Sequence, residues 1–340
     1  MSDIIEDIGE DSAKSQKYWA IVFRQFRRKK LAVFSLFILA LLGAVALLAP
    51  FIAGEKPIYL VKEGNTYLFP NLFDYKDLVD VQFDRWQPGP EDVTIYPPIT
   101  YAPERSHLRE KLTPPSKEHW LGTDDRGRDI FTRLIWGTQI SMSVGFIAVG
   151  IAIVMGIIMG ASAGYYGGKV DAAVLRIIET MMCFPSLILI LALIAFLGRS
   201  IWIIMIVIGI IGSPDVARLV RGEFLRLRGS DFATAAKATG LSDVRIMFRH
   251  ILPNAMAPVL VNATFGVAGA ILTESSLSFL GLGVRPPTAS WGEILSQSQN
   301  YVDFAWWLVI FPGAAIFITV TAFNLVGEGL RDAMDPKLRE

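Results

Sequence analysis

Six stretches of this chain carry no charged residue: Leu31–Ala53, Leu134–Gly168, Thr180–Gly198, Ser200–Pro214, Ile251–Thr273 and Phe304–Gly327. This segregation constrains the fold more than any other feature. In a hydrocarbon core every backbone polar group must find its partner within the protein, and a core about 30 Å thick takes about 20 apolar residues in helical form. Five of the runs reach or approach that length, and the fourth does so when extended through Asp215 to about Val220. The expectation is an all-α polytopic membrane protein with six transmembrane helices, the lipid bilayer being its first partner. Only 19% of residues are charged, against roughly 25% in soluble domains, and the mean hydropathy is +0.44. A formal net charge of zero implies no nucleic-acid partner. The single cysteine, Cys183, excludes a disulfide within the chain.

The first run follows Arg27-Arg28-Lys29-Lys30. It exceeds the 7–15 residues of a signal-peptide core and ends without a clean small-x-small cleavage site, so it reads as a retained helix. Basic residues in short loops set orientation. They gather before span 1 (Lys14, Lys17, Arg24, Arg27 to Lys30), between spans 4 and 5 (Arg218, Arg221, Arg226, Arg228, Lys237, Arg245, Arg249) and in the tail (Arg331, Lys337, Arg339). Gly281–Asp303 holds only Arg285, and the turn after Gly198 only Arg199. Both termini are therefore expected to be cytoplasmic. The organisation is a cytoplasmic segment over 1–30, span 1 over 31–53, an extracytoplasmic loop or lobe over 54–133, five spans over 134–327 with a cytoplasmic loop at 221–253, and a cytoplasmic tail over 328–340. Gly54–Glu118 is rich in Pro and aromatics, too apolar for a disordered linker. Pro185 and Pro312 should kink spans 3 and 6. Gly156, Gly160 and Gly164, four apart, suit close helix packing, although Gly is also common in membrane helices.

The polar segment Asp231–Pro253 stands between two apolar runs. Ala233, Ala235, Ala236 and Ala238 favour a helix, Gly240 stops it, and Ser242 can cap a second. Two short helices at an angle would then stand on the cytoplasmic face. The spacing alone also fits an ordinary basic loop.

The same residues resemble the coupling loop of membrane subunits of ABC importers, whose pattern is Glu-Ala-Ala, three residues, Gly, nine residues and Ile-x-Leu-Pro. Here it reads Thr234-Ala235-Ala236, Gly240, His250, Leu252, Pro253, with Thr234 replacing Glu and His250 replacing Ile. Three further stretches resemble the dipeptide, oligopeptide and nickel permease family: HWLGTDDRGRDIFTR over His119–Arg133, LSFLGLG over Leu277–Gly283 followed by Ser290-Trp291-Gly292, and GEGLRDAMDP from Gly327. The resemblance covers about Arg24–Ala53 and His119–Glu340, and Gly54–Glu118 is longer than is usual there. It implies a type I ABC importer permease fold in the bacterial inner membrane, with an extended extracytoplasmic insertion after the first helix. It also implies a homologous second permease chain, two cytoplasmic ATPase subunits and an extracytoplasmic solute-binding protein. Thr234, Ala235, Ala236, Lys237, Gly240, Leu241, Arg249, His250 and Pro253 would carry ATPase coupling. The cargo would be di- or oligopeptides, with nickel or another small solute as the alternative and an ion-driven secondary transporter as a more distant one.

No catalytic constellation is visible. Gly164–Lys169 fails as a phosphate loop, because Ala163 and Val170 stand where Gly and Ser or Thr are required. It reads as a tight turn, so the chain holds no cofactor and ATP and magnesium fall to the partner ATPases. His119 with Asp124, Asp125 and Asp129 reads as a capped approach to span 2, with the cap at Asp124 or Asp125, rather than as a metal site. Glu179, Asn262 and Glu274 lie in or near spans and are candidates for the substrate path, with hydrogen bonding between helices as the alternative. Glu179 can pair with Arg176, and Glu274 lies about 20 residues, or roughly 30 Å, along span 5.

Overall fold

The computed structural model describes residues 20–335 apart from 84, 85, 87 and 90. Lys14, Lys17, Lys337 and Arg339, counted above for orientation, lie outside the described residues. Span 1 is helix α1, Lys30–Ile52. Span 2 is α2, Ile130–Tyr166, which starts four residues before the charge-free run. Its N-cap is Asp129, whose carboxylate accepts the Thr132 N–H at 2.7 Å, so the expected cap at Asp124 or Asp125 is corrected.

Span 3 is broken rather than kinked. Helix α3, Gly168–Met182, and helix α4, Ser186–Leu197, meet at 84°. Pro185 supplies no N–H and disfavours helical backbone at Phe184, so the ladder cannot run through. With 12 residues, α4 is only about 18 Å long, short of a bilayer core. Among the described residues five helices are long and apolar enough to cross a membrane, or six where the bent pair counts as one span. The others are α5 (Ile201–Leu227), the 37-residue α7 (Asp243–Phe279) and α9 (Trp307–Met334). Pro312 lies inside α9 without ending it. This helix also runs past the expected boundary at Gly327, its charged last turns held to α1 by Lys29 and Asp332 at 2.8 Å. Shorter helices include one over residues 20–28, α6 (Asp231–Ala238) and α8 (Trp291–Gln297).

Glycines fix how the spans meet. Gly209 lies against Ala148 and Ile151, Gly156 against Val216, Gly160 against Ala217 and Val220, and Gly164 against Arg221 and Phe224. Contacts advancing together along both chains mean that α2 and α5 run parallel. A Cβ at Gly160 would overlap the carbonyl oxygen of Ala217, an approach only glycine permits. Helix α7 runs the opposite way, bringing Val267 and Ile271 onto Gly145. Helix α9 packs between α1 and α7, with Gly329 on Ala32 and Gly327 on Thr264 and Phe265.

The all-α expectation needs one correction. Between α1 and α2 stands a three-stranded antiparallel sheet in the order β2-β1-β3, formed by β1 (Tyr59–Lys62), β2 (Asn65–Leu68) and β3 (Val93–Ile95). Lys62 pairs with Asn65 across Glu63-Gly64, both at positive φ, the two-residue turn whose twist suits a hairpin. Leu60, Tyr67, Leu78 and Phe83 form the lobe's own small core.

Gly160→Leu should force α2 off α5 at a cost of about 1–3 kcal/mol, lowering the melting temperature of the purified protein in detergent. Gly150→Leu should leave it unchanged, since Gly150 faces open space.

Candidate functional site

Helix α6 stands at the end of the bundle where α2 and α5 finish and α7 begins. Its Ala233 and Ala236 are buried against Phe224 and Leu227 of α5 and Ile246, Met247 and Ile251 of α7. Thr234, Ala235 and Lys237 lie on the exposed face. Gly240 ends the helix at φ +80°, its N–H donating to Lys237 O at 3.0 Å while the Leu241 N–H donates to Ala236 O at 3.4 Å. This double-bonded glycine cap turns the chain, and the half-buried Leu241 closes it against the same cluster. The expected second short helix is not separate. Asp243–Arg245 runs through a π-helical stretch, Ile246–Ile251, into the membrane span. Pro253 cannot donate to the carbonyl of Arg249, which favours a widened ladder there. Arg249 is exposed and His250 half-buried, both within this widened turn.

Polar side chains join the helix ends around this element. Arg221 of α5 holds Asp171 of α3 through two bonds of 2.5 and 2.7 Å. Arg228 donates to the carbonyls of Gly164 and Tyr165 at the end of α2, where a cation suits the helix C-terminus. Tyr165 in turn donates to Asp243 at 2.7 Å. These bonds tie α2, α3, α5 and α7 to one another around the base of α6.

The opposite end of the bundle holds a buried charged network. Arg133 in the first turn of α2 is fully buried; it ion-pairs with Glu293 of α8, lies 3.5 Å from Asp124 and donates to Pro103 O at 3.0 Å. Asp124 also accepts from Arg128 Nε at 2.7 Å and from the N–H groups of Arg126 and Arg128. His119 bridges Asp129 at 3.0 Å and Glu110 at 3.4 Å. The Tyr101 ring packs 4.8 Å from His119, and burial, then the carboxylates of Asp129 and Glu110, push its hydroxyl above the ordinary range. Glu274 of α7 accepts from Ser278 and Ser290, both at 2.8 Å. Ser290 caps α8 as well, accepting the Glu293 N–H. Trp291, 1% exposed, donates to Leu134 O.

Residues 152–340 match the family of binding-protein-dependent transport system inner membrane components, and residues 17–70 match the N-terminal TM domain of oligopeptide transport permease C. The chain belongs to this permease family. It is 38% identical over 330 residues to the dipeptide transport system permease protein DppC of Alkalihalophilus pseudofirmus, covering 97% of this chain and 93% of that one. It is 35% identical over 334 residues to the oligopeptide transport system permease protein OppC of Bacillus subtilis, covering 98% and 94%. A probable D,D-dipeptide transport system permease protein of Escherichia coli is 42% identical over 70% of this chain and 80% of its own. The protein is thus a multi-pass inner-membrane permease of the ABC transporter class, a non-catalytic component with the mostly helical permease fold.

Within this permease the residues expected from sequence fall into two groups. Thr234, Ala235, Ala236, Lys237, Gly240 and Leu241 share the α6 element, with Arg249, His250 and Pro253 on the helix that follows. The path candidates are not brought together. Glu179 is exposed on α3 and pairs with Arg176 at 3.3 Å, Asn262 is half-buried midway along α7, and Glu274 is fully buried near its far end. Sequence reasoning missed Asp171, Arg221 and Arg228 as anchors and the Arg133–Glu293 pair, whose partners are 50 to 160 residues apart. For Arg133 and Asp171 the only signal was charge at the margin of an apolar run. Among the described residues no group of three or more His, Cys, Asp or Glu side chains is placed to hold a metal ion.

Glu293→Ala should leave buried Arg133 and Arg128 sharing the one carboxylate of Asp124 and cost about 3–5 kcal/mol, seen as a large drop in melting temperature. Arg176→Ala, breaking an exposed pair, should change stability by less than about 1 kcal/mol.

Proposed function

We propose that this chain is one of two homologous permeases in an importer of di- or oligopeptides. Two cytoplasmic ATPases that bind ATP and magnesium drive it, and an extracytoplasmic binding protein supplies it. Membership of a binding-protein-dependent family and the peptide systems named for its relatives support this reading. So does the α6 element, an exposed short helix whose outer face carries Thr234 and Ala235 beside Lys237 and Phe232. In this reading both termini and Asp231–Pro253 face the cytoplasm, and the β-sheet lobe lies outside.

The mechanism is alternating access. ATP binding closes the ATPase pair, whose surface grips Thr234, Ala235 and Lys237. Close docking needs small side chains, and Gly240 supplies the turn that lets α6 project. Motion then passes through Ala233 and Ala236 into α5 and α7, and through Arg221 and Arg228 into α3 and α2. The two permeases open outward, accept peptide, and return inward after hydrolysis. Glu274 serves in this scheme as the bond that fastens α8 to α7, since its partners Ser278 and Ser290 span those elements. The Gly54–Glu118 lobe docks the binding protein or covers the path.

Gly240→Val should place a β-branched residue at φ +80°, a backbone strain of about 1–2 kcal/mol confined to the cap. The complex should still assemble and hydrolyse ATP, while peptide uptake into proteoliposomes falls to background. Uptake at the wild-type rate would sink the coupling role. Uptake by this chain alone under an ion gradient would sink the ATP-driven reading itself.

A further inference from the structure

The lobe after α1 carries an apolar turn whose side chains are largely exposed among the described residues. Leu68, Phe69, Leu72 and Phe73 are 55%, 41%, 48% and 60% exposed, although the lobe has a closed core of its own on the other side of the sheet. Two contacts fix the height of this turn. The Asn71 side-chain amide donates to Pro50 O at 2.9 Å, in the last turn of α1, and the Phe69 ring stands edge-on to Phe51 at 5.8 Å. Hydrogen bonds from the Leu72 and Phe73 N–H groups to Phe69 O close the turn. It is thus held level with the end of a membrane span.

The surface below it is continuous. Phe51 shares a helix face with Leu47 and Leu48, one turn earlier, and the exposed stripe runs on through Leu41, Phe37 and Phe34. The same level is marked around the bundle by exposed tryptophans. Trp202 is at the start of α5, Trp306 lies just before α9, and Trp120 packs 5.4 Å from Phe131 at the start of α2. Rings of this kind gather at the membrane–water boundary. Just past the turn, Lys56 and Asp74 pair at 2.7 Å, a charged group suited to the headgroup layer.

We propose that Leu68–Phe73 is an interfacial foot: Phe69, Leu72 and Phe73 insert into the lipid leaflet beside α1 and hold the lobe down on the membrane. The occupant of this surface is lipid, because the patch continues a span's apolar stripe and ends where charges begin. The inference rests on α1 crossing the bilayer and not on the transport assignment.

The test is nitroxide accessibility in the assembled complex in phosphatidylcholine nanodiscs. Cys183, the single cysteine and an exposed one, is first replaced by Ser. Labels are placed at Leu72→Cys and Phe73→Cys, with Asp80→Cys as a lobe position facing water. At 72 and 73 collisions with oxygen should outweigh those with a nickel chelate, corresponding to a depth of roughly 5–10 Å below the headgroups, and the order should reverse at 80. A dominant nickel signal at 72 and 73 would place the turn in water and overturn the proposal. Low collision rates with both reagents would show a protein partner there and overturn it equally, as would shielding that arises only when the binding protein is added.

Discussion

The seam between α2 and α5 carries the rest of the molecule. At Gly156, Gly160 and Gly164 the two backbones come closer than any side chain would allow. In lipid, helices gain little from hiding apolar surface, so association rests on such close packing. The seam joins the two helices into one parallel unit. The element at Asp231–Ala238 hangs from one end of it, and the charged network around Arg133 closes the other.

The two ends use polar groups differently. At the α6 end the bonds are partly solvated and link neighbouring helices: Arg221 to Asp171, Arg228 to the end of α2, Tyr165 to Asp243. Such links hold the neighbouring helices together at that end. At the other end Arg133, Asp124, Arg128 and Glu293 are almost wholly buried. A buried ion pair is poor evidence of net stability, but removing one member is costly, so the network tolerates few alternative arrangements. Its effect is to fix α8 and the approach to α2 in a single geometry.

Much of this was legible in particular residues. The run Leu31–Ala53 matched α1 within a residue at each end, and Pro185 marked the discontinuity in span 3. The Ala-rich stretch before Gly240 gave α6 and its cap, because helix propensity and glycine's freedom at positive φ act within a few residues. The reading failed where distant groups decided. Asp129, rather than Asp124 or Asp125, became the cap, Asp124 being committed to Arg128 and the turn before it. Asp243–Arg245 joined the span instead of forming a separate helix, and the lobe folded a sheet that a membrane-centred reading had not anticipated.

The sequence by itself determined where the long apolar helices lie, the place of the break at Pro185 and the turn at Gly240. Each follows from local chemistry: hydropathy over about 20 residues, a missing N–H, a missing Cβ. Only the tertiary structure decided that Glu274 fastens α7 to α8, that Arg133 meets Glu293 across 160 residues, and that Ala233 and Ala236 face inward while Thr234 and Ala235 are left outside. These are pairings between segments remote in the chain. They are set by which surfaces the glycine seam brings within reach, and no local pattern encodes them.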